Sequence, residues 1–119
     1  MTLAALLEEL REVDPGEWDN LTMWNVNKEL PETSPLSMFI IQGCLQRACE
    51  KRGWGLVVEW SKEGGPYEWS AYTGHEEPPG AFRAAYSWGI RYYGGSAACA
   101  LLVAYIAAVK EEKERRGMS

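Results

Sequence analysis

The chain predicts an α+β domain in which helices pack on a small antiparallel sheet, in the order α-α-α-β-β-β-α. Residues 97–109 carry no polar group but the Tyr105 hydroxyl, the pattern of a helix buried on all sides. Upstream, apolar residues recur at helical spacing as far as Arg52, and from Trp54 the period changes to two. The Lys62-Glu63-Gly64-Gly65-Pro66 cluster then turns the chain back on itself. A chain of 119 residues is expected to be one domain, long enough to bury about two thirds of its unfolded surface.

Leu3, Leu6, Leu7, Leu10 and Val13 form the apolar stripe of a first helix over residues 2–13, capped by Thr2. A second helix starts at Asp14-Pro15-Gly16-Glu17, with Asp14 as N-cap and Pro15 at the first position. Trp18, Leu21 and Met23 or Trp24 make its buried side, and Pro31 ends it. Ser34-Pro35 repeats the signal for a third helix over residues 36–52, closed by Gly53. Gln42, Gln46 and Glu50 form its polar stripe, and its apolar surface is wide enough to be sandwiched or to join an oligomer.

In the first strand Trp54, Leu56, Val58 and Trp60 share one face, and Tyr67, Trp69 and Ala71 alternate in the second. Trp54, Trp60 and Trp69 are expected in the core where the hairpin meets the helices. Residues 74–80 read as a loop, and alternation over 82–93 as one long strand or two bent at Gly89. Gly94-Gly95 turns into a last helix, capped by Ser96, that runs from Ala97 into the mixed charges of 110–116.

Apolar content of 46% and charged content of 24% suit a globular domain, but six Trp and six Tyr exceed what its core needs. A net charge of −5 works against binding long nucleic acid. The apolar run 97–109 is shorter than the roughly 18 residues that suggest a membrane span. The N-terminus has acids where a secretory signal is basic. Cys44, Cys49 and Cys99 form no CxxC pair and are odd in number, so buried reduced thiols in the cytoplasm are expected, without disulfide or zinc.

The single histidine, His75, lies beside no nucleophile motif, and His75-Glu76 lacks the second histidine of a helical zinc site. No carboxylate spacing marks an acid/base pair, and Gly94-Gly95-Ser96 without a lysine is first of all a turn. No enzymatic activity and no cofactor are therefore expected.

The chain resembles the phage ABA-sandwich domain family, small proteins encoded by phages and prophages. The resemblance rests on the leucine-rich first helix, on Gly16-Glu17-Trp18-Asp19 and on the apolar helix after Ser34. It extends to the Gly53-Trp54 entry into a Trp-rich hairpin and to Ser96-Ala97-Ala98-Cys99-Ala100-Leu101-Leu102. Ala97 stands where the family has a proline, and 80–93 is longer than its usual third strand. The resemblance implies an α/β/α-type sandwich and a place in the host cytoplasm; it implies no activity.

Candidate binding residues lie in the third strand region. Arg83, Arg91 and Tyr93 alternate with Phe82, Tyr86, Trp88 and Tyr92, and guanidinium forks beside rings suit a nucleotide, the rings stacking its base and the arginines holding phosphate. The competing reading makes the arginines ordinary exposed residues and the rings sheet core. Two functional classes follow. In the first the chain is a non-enzymatic accessory protein that binds a host protein or a small nucleotide, in the sharper form sequestering a nucleotide signal of host defence. The alternative is a homo-oligomeric structural or interaction module without a ligand, built on the apolar surfaces of 36–52 and 97–109.

Overall fold

The computed structural model describes residues 3–23, 35–62, 66–75 and 92–117. Their elements follow the expected order: α1 (Leu3–Val13), α2 (Pro15–Met23), α3 (Pro35–Arg52), β1 (Trp54–Ser61), β2 (Glu68–His75), β3 (Tyr92–Gly94) and α4 (Ala97–Gly117).

Leu6, Leu7 and Leu10 bury the stripe of α1. Asp14 joins α1 to α2 without a linker: its N–H donates to the Leu10 carbonyl at 2.7 Å, and its Oδ1 accepts from the Glu17 N–H at 3.4 Å. That second bond is the expected N-cap. Leu21 is buried and Trp18 half-buried, but Met23, two residues on and so on the other side of the helix, is 70% exposed. Met23 is therefore not on the buried side; Trp24 lies outside the described residues. Ile41, Leu45, Ala48 and Cys49 are the buried stripe of α3. Gly53, at φ 71°, closes that helix in the left-handed region, and its N–H donates to the Glu50 carbonyl at 3.1 Å.

The sheet has the order β1-β2-β3, antiparallel throughout. β1 and β2 pair from Trp54↔His75 to Ser61↔Glu68, so Gly74 and His75 belong to a strand and not to the expected loop. Their backbones are paired to Gly55 and Trp54, and this overrides a loop-like composition. β3 pairs Tyr92, Tyr93 and Gly94 with Ala71, Ser70 and Trp69. Only Tyr92 and Tyr93 of the range expected as a strand, 82–93, fall in it, and Gly94, expected in a turn, is paired with Trp69; residues 76–91 lie outside the described residues.

The register places Trp54, Leu56, Val58, Trp60, Trp69, Ala71, Thr73 and Tyr92 on one face. Among the described residues the helices meet the sheet through that face. α4 lies against all three strands, α3 beside it against β1 and β2, α1 packs on α4, and α2 on α1 and α3. α4 gives the core more residues than any other element: Ala98, Ala100, Leu101, Leu102, Ala104, Tyr105, Ile106, Ala108 and Val109 are buried. Its alanines let the sheet approach closely, so most of the run 97–109 is core.

Ser96 caps α4 as expected, its Oγ accepting from the Cys99 N–H at 3.1 Å. The three thiols are free, but only Cys49 is fully buried. Its Sγ lies 3.3 Å from Thr73 Oγ1, which in turn donates to the Gly55 carbonyl at 2.7 Å. None of the described helices is long and apolar enough to cross a membrane.

Candidate ligand-binding surface

Two side-chain clusters stand out, one inside the domain and one at its surface. The inner one centres on Arg52, at the α3–β1 junction. Its Nε donates to the Tyr105 hydroxyl at 3.2 Å, Nη2 to Asp14 Oδ2 at 3.2 Å, and Nη1 to the Glu112 carboxylate at 3.3 and 3.4 Å. The Tyr105 hydroxyl donates to the same Asp14 oxygen at 2.7 Å. The guanidinium lies 4.8 Å from the centroid of the Trp54 ring, which tilts against Tyr105. Burial, reinforced by the Asp14 charge, pushes the Tyr105 hydroxyl well above the usual phenol range, so it stays protonated at neutral pH. Tyr105 is 0% exposed and both its polar contacts end on protein, so the cluster ties α1, α3 and α4 together.

The second cluster sits at the turn end of the hairpin. Trp60 and Tyr67 stack nearly parallel, with centroids 5.6 Å apart and an 11° interplanar angle; Trp69 tilts against Trp60 at 5.1 Å. Trp60 is 52% and Tyr67 56% exposed. The expectation of a core Trp60 is thus corrected. The residue has the right strand face but lies near the turn, where β1 has run past the cover of the helices. Trp54, at the other end of the strand, is buried, and Trp69 is half-buried. Lys62 stands one residue beyond the Ser61↔Glu68 pair, as Tyr67 does, and is exposed. A stacked pair with one ring face open to water can take a flat ligand, at about 1–3 kcal/mol per stacked base.

Of the site residues read from sequence, Arg83, Tyr86, Trp88 and Arg91 lie outside the described residues. Tyr93 is 54% exposed. Its pairing with Ser70 puts it on the sheet face opposite Trp60 and Tyr67, while Tyr92 packs against the core, so the expected alternation of these two neighbours holds. Tyr67 was missed as a candidate because alternation along a strand gives the face of a ring and says nothing of where the helices stop covering it. Among the described residues no three His, Cys, Asp or Glu side chains gather as a metal site. A groove of about 210 Å³ between α1 and α4 is lined by Leu6, Val103, Ile106 and Ala107, with Glu9 and Lys110 paired at its rim.

Among the described residues two buried polar atoms lack a partner, Ser70 Oγ and Glu17 Oε2. Glu17 Oε1 accepts from Asn20 Nδ2 at 3.0 Å, whereas Oε2 is buried with no partner. Burial first, and the nearby Asp14 charge, raise its pKa above the ordinary 4.5. A raised carboxyl pKa means that the fold prefers the protonated form. Its contribution is complete below about pH 4.5 and is lost as pH rises through the folded pKa. Glu17→Gln, neutral at every pH, is expected to be more stable than wild type at pH 7 by about 0.5–1 kcal/mol, allowing for solvent screening of the half-exposed side chain. The gain should disappear below about pH 4. Urea unfolding of both proteins at the two pH values checks this; a Gln variant less stable at pH 7 would refute it.

No family model, no curated protein and no solved structure matches this chain.

Proposed function

We propose that the chain is a non-enzymatic binding protein that takes a small nucleotide on its exposed aromatic surface. The observation that carries this reading is the Trp60–Tyr67 stack, both rings more than half exposed at the hairpin end. The base stacks on the face of Tyr67 turned away from Trp60, which backs it, and the Lys62 ammonium meets phosphate. Arg83 and Arg91 are the further phosphate ligands this reading calls on. With the resemblance to phage-encoded proteins, the biological form of the proposal is an accessory protein of a phage or prophage, acting in the host cytoplasm by sequestering a nucleotide signal of host defence. A host protein docked on the same rings is the variant of this reading with a larger partner.

A thermal-shift panel of linear and cyclic nucleotides tests it. A binder adds about 2.7 kcal/mol of stabilisation at a hundredfold excess over its dissociation constant. Tyr67→Ala, at a surface ring whose loss leaves the core intact, is expected to weaken binding by about 1–3 kcal/mol, roughly five- to a hundredfold. A flat panel, or a shift that Tyr67→Ala leaves unchanged, would overturn the assignment.

A second reading, a homo-oligomeric module, is favoured by α3, where Leu36 is 54% and Phe39 71% exposed on a helix whose other side is core.

A further inference from the structure

β1 is an eight-residue edge strand, and its outer side is paired with no described strand. It has no proline and a single charge, Glu59, whereas the other edge, β3, is only three residues long. A long, apolar, unbroken edge is a template for another strand. α3 lies on the side of this edge, since it packs mainly on β1 while α4, which also touches β1, lies mainly on β2 and β3. Its inner side is accounted for: Cys49 meets Thr73, Arg52 meets Tyr105, α2 packs on the helix, and Cys44 and Lys51 lie within electrostatic reach of Glu17 of α2. At 3.6 residues per turn the flank turned away from α2 and α4 is then that of Phe39, Gly43, Gln46 and Arg47, all exposed.

We infer that a second copy of this chain docks there, β1 pairing antiparallel with β1 across a two-fold axis to make one continuous six-stranded sheet, with α3 against α3 beneath it. This specifies the interface for the oligomer reading and rests on that reading; it is independent of the nucleotide. The self-complementarity is geometric. Counted from the element ends that flank Gly53, Val58 lies about 13 Å along β1 from Trp54 and Gly43 about 14 Å along α3 from Arg52, so one axis can pass both. At Gly43 a Cβ would meet nothing within 4 Å, and its absence lets two helices approach closely. A register centred on Val58 sets Leu56 of one copy against the exposed Trp60 of the other. On α3, Phe39 then faces Arg47 of the second copy, ring to guanidinium. Strand and helix are each about 27 Å long and together about 15 Å deep, which gives about 400–500 Å² per copy, close to the roughly 1,000 Å² total a specific interface requires.

Sedimentation equilibrium of the ligand-free chain is expected to give twice the 13.4 kDa chain mass. Phe39→Lys, at an exposed position, sets like charges at Arg47 of the second copy and should raise the dimer dissociation constant at least about tenfold with unchanged circular dichroism. Adding Arg47→Glu restores opposite charges and should return the dimer. A wild-type chain at the single-chain mass would overturn both the oligomer reading and its interface, leaving the edge to a strand of another protein. A dimer indifferent to Phe39→Lys, or one not restored by Arg47→Glu, would overturn this interface alone. Nucleotide binding, read through Tyr67→Ala, is unaffected by any of these results.

Discussion

Leu101→Ala is expected to lower the unfolding free energy by about 3–5 kcal/mol, out of the roughly 5–15 kcal/mol typical of a domain this size. Leu101 is 0% exposed in the second turn of α4, the helix that touches every strand and both α1 and α3. Truncation removes the transfer free energy of the side chain and leaves a cavity. That cavity has little means of closing. Its neighbours on the helix, Ala98, Ala104 and Ala108, already bring the backbone and sheet close together, and Tyr105, one turn on, is held in place by its bonds to Asp14 and Arg52. Val103→Ala, on the half-buried side of the same helix, should cost only about 1 kcal/mol. Urea unfolding decides: the midpoint should fall with an unchanged m-value. A loss under about 1 kcal/mol for Leu101→Ala would show that α4 is not the centre of the core.

Asp14→Ala is expected to cost about 3 kcal/mol, large for a residue that is not an apolar core side chain. It removes the N-cap of α2, the acceptor of the Tyr105 hydroxyl and the anionic partner of Arg52 in one step. The cap contributes about 1 kcal/mol. The rest arises because a buried hydroxyl and a partly buried guanidinium are left underpaired, and unmet polar groups cost more than the net value of the bonds. Asp14→Asn keeps a capping oxygen and an acceptor for Tyr105, so it should cost about half as much. Arg52→Met, tested in a double-mutant cycle with Asp14→Ala, should show a coupling above about 1 kcal/mol, since the second change removes a partner already lost. Additive costs would mean that the two residues do not act as one cluster.

The same cluster shows where sequence reasoning stops. Asp14 was legible as a cap, because Asp before Pro at a break in helical periodicity is a local signal. Its bonds to residues 38 and 91 positions away are not local. Arg52 read as the last turn of a helix and Tyr105 as the polar exception in an apolar run, and neither spacing says that they meet. On the surface, the alternation of Tyr92 and Tyr93 gave their opposite faces correctly. The exposure of Trp60 and Tyr67 depended on where helices packed against the sheet come to an end.

By itself the sequence determined the fold class, the order of its elements, the α1–α2 cap, the Gly53 turn, the β1–β2 hairpin and the burial of α4. These follow from periodicities and caps that act within a few residues. Tertiary structure alone decided the full length of β2, the exposure of Met23, Phe39 and Trp60, and the meeting of Asp14, Arg52 and Tyr105. Periodicity specifies which side of an element is apolar; how far along it the partner element reaches, and which distant polar groups close on one another, is set by packing the whole chain.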